Sequence, residues 1–125
     1  MKLTGKQYGI VIAALITAFM HLAAAFDKAL FPAGPDPLFT LNGLGYLGLL
    51  GAYFLPIAFF QQRHNLVRQG FIGFAILTIA AWIFIWVIQY VIINHTPFFS
   101  HDSLYGVPAK IAEVALIYFL RADKN

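Results

Sequence analysis

The sequence predicts an all-α protein, an integral membrane four-helix bundle with both termini cytoplasmic. Three observations carry this expectation. Four long apolar stretches, at about 8–26, 37–60, 71–93 and 104–120, fill nearly all of the 125 residues. Each is about long enough to cross a ~30 Å hydrocarbon layer at ~1.5 Å per helical residue. Hydrophobic residues make up 61% of the chain and charged ones 10%, where ordinary soluble domains are about a quarter charged. That leaves a single transmembrane domain over 1–125 with no room for a soluble one. The charges also sort by side. Lys2, Lys6, Arg63, Arg68, Arg121 and Lys124 fall at the N-terminus, the second connector or the C-terminus, and the first and third connectors carry only Lys28. Six against one sets the orientation by the positive-inside rule.

The same distribution makes the basic residues topology signals and anionic-lipid contacts and argues against a nucleic-acid partner. The chain has no cysteine, which excludes disulfides, thiol redox chemistry and thiolate metal sites. Lys2, Lys6, the first apolar run and Ala23-Ala24-Ala25 together resemble a signal peptide. The run is long for such a peptide and reads as an uncleaved first helix. The expected location is the plasma (inner) membrane, as a multi-pass protein.

In the first helix, Gly9, Ala13 and Thr17 recur at four-residue spacing, which lets a neighbouring helix approach closely where lipid supplies no hydrophobic drive. Phe31-Pro32-Ala33-Gly34-Pro35 is too rich in Pro and Gly to remain helical. Asp36 and Pro37 supply an N-cap and a first helical position. The second helix carries Gly43, Gly45, Gly48 and Gly51, a groove for a neighbour, and Pro56 is expected to kink its inner end. Gln61 to Asn65 reads as the cytoplasmic turn. In the third helix Trp82 and Trp86 lie deeper than the interfacial belt and are expected to pack on protein or line a cavity. The outer loop holds His95, His101 and Asp102. The fourth helix is expected to start near Leu104 with an early kink at Pro108. The two helix pairs show no internal repeat, so an inverted-repeat transporter is not indicated.

The segment Leu41-Asn42-Gly43-Leu44-Gly45-Tyr46-Leu47, together with Ala109-Lys110-Ile111-Ala112-Glu113-Val114-Ala115-Leu116, resembles a group of small, uncharacterised four-helix integral membrane proteins. The resemblance covers these two stretches, implies the four-helix architecture and implies no activity.

Glu113 stands nine residues into the fourth helix, about 14 Å deep. Lys110 is three residues earlier on the same face. Either charge against lipid costs at least ~2.5 kcal/mol, so both should face protein or water. Such a carboxylate serves proton handling, a substrate counter-ion or acid–base work; the plainer alternative is an internal ion pair with Lys110 snorkelling outward. His21 shares the small face of the first helix with Thr17, Ala18, Ala24 and Ala25. Asn42, Tyr46, Leu49 and Tyr53 form one stripe, and Thr78, Trp82, Ile85 and Gln89 another. Facing inward, these would join His21, Asn42, Tyr46, Tyr53, Trp82, Gln89, Lys110 and Glu113 in a ligand-binding or buried polar network in the outer half. The plainer version is interhelical hydrogen bonding, worth ~0.6 kcal/mol per bond.

No residue has a motif that marks it as catalytic: there is no phosphate loop, H-E-x-x-H or nucleophile elbow. His21 and His95 are conceivable haem ligands, and His95, His101, Asp102, Asp27 and Asp36 a conceivable outer metal site. None has compact ligand spacing, so no cofactor or metal is expected. Three roles fit. The first is a non-catalytic accessory or stabilising subunit of a membrane complex, in a homo- or hetero-oligomer. Little soluble mass, the Gly-rich second helix and the outward Phe26, Phe31, Phe39, Phe98 and Phe99 favour it. The second is a small-molecule binding or transport protein using the outer-half pocket. The third is a membrane enzyme in which His21 and Glu113 exchange protons with a quinone or isoprenoid.

Overall fold

A computed structural model describes residues 2–95 and 103–123, apart from the side chains of Tyr90 and Ser103. His101, Asp102, Phe98, Phe99 and Lys124 lie outside the described residues. The described chain is helical, in the order α1 (Gly5–Ala25), α2 (Pro37–Phe54), α3 (Ala58–Gln62), α4 (His64–Trp82), a π-helical continuation (Ile83–Ile93) and α5 (Ser103–Ala122).

The starts follow from local chemistry. Thr4 Oγ1 accepts from the Gln7 amide while Gln7 Oε1 accepts from the Thr4 amide. This capping box begins α1 three residues before the apolar run does. Asp36 Oδ2 accepts from the Phe39 amide at 2.9 Å and Pro37 takes the first helical position, as expected. The expected helix over 37–60 is corrected. It breaks after Phe54, because the residue before a proline is pushed out of the helical region, and Leu55 is extended at ψ 141°. The chain then regains one short helix, α3. The connector expected at 61–65 shrinks to Arg63, whose guanidinium donates to Phe59 O at 3.0 Å and lies 4.0 Å over the Phe59 ring. Consequently α4 begins at His64, seven residues before the apolar run. It passes into the π-helical stretch to make a continuous 30-residue rod, His64–Ile93. The last helix spans Ser103–Ala122, with Pro108 inside it.

α1 packs against both α2 and α5, and α4 packs against α5 and α2, so the long helices form a ring of four neighbours. Ile10, Ala13, Ala14, Ala18, Tyr46, Phe71, Ala75, Leu116 and Leu120 form its core. The small face of α1 works as expected: the Phe119 ring lies so close to Gly9 that a Cβ there would stand 2.7 Å from it. Gly43 is pressed equally tightly on Leu22 and Ala18 O of α1. Both chain ends share one end of the ring, since Lys6 Nζ donates to Ala122 O at 3.1 Å. At the opposite end Tyr105 OH donates to Asp27 at 2.5 Å.

Two helices are long and apolar enough to cross a membrane by length and composition, Gly5–Ala25 and His64–Ile93. Helices α2, 18 residues, and α5, 20 residues, are long enough but more polar, with Asn42, Tyr46 and Tyr53 in one and Lys110, Glu113 and Arg121 in the other. Large apolar side chains cover the outside, among them Phe19, Leu38, Leu77, Ile111 and Tyr118.

Candidate functional site

Among the described residues Glu113 is the most buried charged side chain, with 0% of its surface exposed. Three helices bring donors to its carboxylate. Thr17 Oγ1 of α1 and Tyr46 OH of α2 each donate to Oε2 at 2.8 Å. Lys110 Nζ, one turn earlier on α5, donates to Oε1 at 2.8 Å. Ionised carboxylate and ammonium cancel, and the two hydroxyls occupy further lone pairs, which is what a buried ion pair requires. Lys110 does not snorkel away; its Nζ is 5.8 Å from the centre of the Trp82 ring, within cation–π range.

His21 stands beside this knot. Its Nδ1 lies 2.8 Å from Thr17 O, four residues back on its own helix. A carbonyl only accepts, so Nδ1 carries the proton and Nε2 is the nitrogen that can gain or lose one. Nε2 is 3.9 Å from Glu113 Oε2, too far for a direct hydrogen bond. The Phe39 and Tyr46 rings flank the imidazole at 5.9 and 5.8 Å between centroids.

Of the residues expected in one network, His21, Tyr46, Lys110 and Glu113 come together and Trp82 borders them. Asn42 sits one turn from Tyr46 and donates through Nδ2 to Thr78 Oγ1 at 3.1 Å, tying α2 to α4. Its Oδ1 is buried without a hydrogen-bond partner among the described residues. Two expected members lie elsewhere. Tyr53 belongs to the terminus-bearing end, where its OH donates to Asp123 and its ring lies 4.3 Å from that of His64. Gln89 is exposed on the π-helical stretch. Thr17 is the member that sequence reasoning passed over, as one more small residue. Its position one turn before His21 was the available signal. Trp86 is buried as expected, and Trp82 packs its Nε1 edge over Gly106.

Clefts among the described residues open at the terminus-bearing end. One, about 420 Å³, is lined by residues including Lys2, Gln7, Tyr53 and His64; another lies between α4 and α5. Among the described residues no three His, Asp or Glu side chains are grouped to hold a metal ion. Comparison with known protein families, curated proteins and solved structures finds no match to this chain.

Proposed function

We propose that the chain crosses the membrane four times, both termini cytoplasmic, and serves as a non-catalytic accessory or stabilising subunit of a plasma-membrane assembly. The observation that carries this reading is the engagement of Glu113. Its carboxylate takes Thr17, Tyr46 and Lys110 at 2.8 Å each, so the strongest chemical group of the interior is spent on joining α1, α2 and α5. Protein escorts the polar side chains of α2 and α5, so these helices can cross beside the two more apolar ones. The outer surface, apolar around the ring and basic at one end, offers a partner its contact.

Native mass spectrometry after extraction from its own membranes in the mildest effective detergent tests the reading. Larger partner masses are expected on the chain. A stable, lone chain with no partner in gently extracted membranes overturns it.

A second reading is a membrane enzyme acting on a lipid-soluble quinone or isoprenoid. The 3.9 Å separation of His21 Nε2 and Glu113 Oε2, on different helices, favours it, because acid–base work needs both groups at one reacting centre. It predicts a discrete small-molecule adduct on the extracted protein that His21→Gln and Glu113→Gln each abolish. No adduct on the wild-type chain removes this reading.

A further inference from the structure

The groove between α4 and α5 orders its side chains as a phospholipid orders its parts. Arg68, Gln69, Ile72, Ile76, Ile117 and Arg121 line a volume of about 370 Å³. Arg68 and Gln69 lie in the second turn of α4, and Arg121 in the last turn of α5, so the cationic donors share the terminus-bearing end. Ile72 and Ile76 follow Arg68 at successive four-residue steps, and Ile117 stands four residues inward from Arg121. From Arg68 to Ile76 the wall runs about 12 Å toward the middle of the layer.

Arg68 is the less ordinary of the two cations. Only 5% of its surface is exposed, and Asn65 Oδ1 holds its Nη2 at 2.6 Å. A guanidinium fixed this way retains further N–H donors for a second acceptor, and its planar fork suits phosphate oxygens. Carboxylates are not among the lining residues. Asp123, the acid after α5, accepts instead from Tyr53.

We propose that this groove binds one anionic phospholipid of the cytoplasmic leaflet, its phosphate on Arg68 and Arg121 and an acyl chain on Ile72, Ile76 and Ile117. Two guanidiniums with no acid on the wall favour a net negative headgroup over a zwitterionic one. The inference rests on the membrane reading above.

The test uses the full chain in mild detergent, titrated with phosphatidylglycerol, phosphatidylcholine or inorganic phosphate and read by native mass spectrometry. One phosphatidylglycerol is expected to bind about tenfold or more tightly than phosphatidylcholine. Arg121→Gln and Arg68→Gln should each erode that preference, while Lys28→Gln, at the other end, should leave it. Ile76→Trp fills the apolar part without touching the charge and should weaken phosphatidylglycerol binding, which keeps the test open if Arg68→Gln fails to fold. Equal binding of the two lipids, or phosphate alone saturating the site, overturns the groove as a lipid site. Flotation of the wild-type chain with phosphatidylcholine vesicles serves as the separate control. Failure to float with vesicles of any composition overturns the membrane reading, and the groove with it.

Discussion

Glu113 is worth most as one half of a pair, so the size of its contribution depends on what is left behind. Glu113→Gln keeps the shape but leaves the Lys110 ammonium, 11% exposed, without its counter-charge. Breaking a buried pair from one side costs about 3–5 kcal/mol. Replacing both partners, as Glu113→Leu with Lys110→Met, should recover most of that loss but not all, because Thr17 and Tyr46 would still lose their acceptor. Thermal unfolding of the wild type, Glu113→Leu, Lys110→Met and the double variant in one detergent measures the coupling; either single variant as stable as the wild type would contradict it. Tyr46→Phe removes one hydrogen bond and should cost far less, about 0.6–2 kcal/mol. The sequence made Glu113 and Lys110 conspicuous because charge inside an apolar run is expensive, and His21 and Tyr46 followed from helical faces. Thr17 was hidden because a hydroxyl among alanines reads as a small packing residue. Tyr53 was misplaced for another reason: a stripe fixes the face of a helix but not which depth finds a partner. Seven residues separate it from Tyr46, about 10 Å of rise, which takes it to Asp123 and His64. Gln89 fell out because the helix changes hand-over pattern at Ile83. Hydrogen bonding to i+5 turns the faces away from a 3.6-residue stripe, and Trp86 is buried while Gln89 is exposed.

Helix boundaries and helix contacts show the same division between what residues declare and what neighbours decide. Asp36-Pro37 declares a start, which holds, whereas Pro56, read as a kink within 37–60, instead ends α2 at Phe54. The return to helix at Ala58 and the early start of α4 at His64 were not legible, since the polar run 61–65 resembles a connector and neither start has a side-chain cap. The glycines of α2 read alike in sequence yet differ in the fold. A Cβ on Gly43 would stand 2.7 Å from Leu22 Cγ and 3.1 Å from the Ala18 carbonyl oxygen, whereas one on Gly48 would meet nothing within 4 Å. Gly43→Ala should therefore force α1 and α2 apart and destabilise by about 1–3 kcal/mol. Gly48→Ala should be neutral or stabilising by up to about 1 kcal/mol, as helix propensity alone allows. Melting temperatures of the two variants, side by side, check this; equal losses would mean that the α1–α2 contact is not where the fold is tight.

Across the whole molecule, the two ends of the helix ring differ in charge as sharply as its wall differs from its core. One end carries Lys2, Lys6, Arg63, Arg68 and Arg121, tied together by Lys6 to Ala122 O and by Tyr53 to Asp123. The other carries Asp27, Asp36 and Lys28, with Asp27 held by Tyr105. In a membrane under the positive-inside rule the first end faces the cytoplasm, which sets the expected side of every connector. The absence of cysteine makes this measurable without removing a native thiol. Single substitutions Lys2→Cys, Gln62→Cys and Lys28→Cys place one reactive group at the N-terminus, the end of α3 beside Arg63 and the first connector. In right-side-out cells a membrane-impermeant maleimide should label Lys28→Cys alone. In permeabilised cells it should label all three. Labelling of Gln62→Cys from outside, with Lys2→Cys protected, would mean that only some of the long helices cross. The basic end would then be divided between two faces, and the groove between α4 and α5 could not meet the cytoplasmic leaflet.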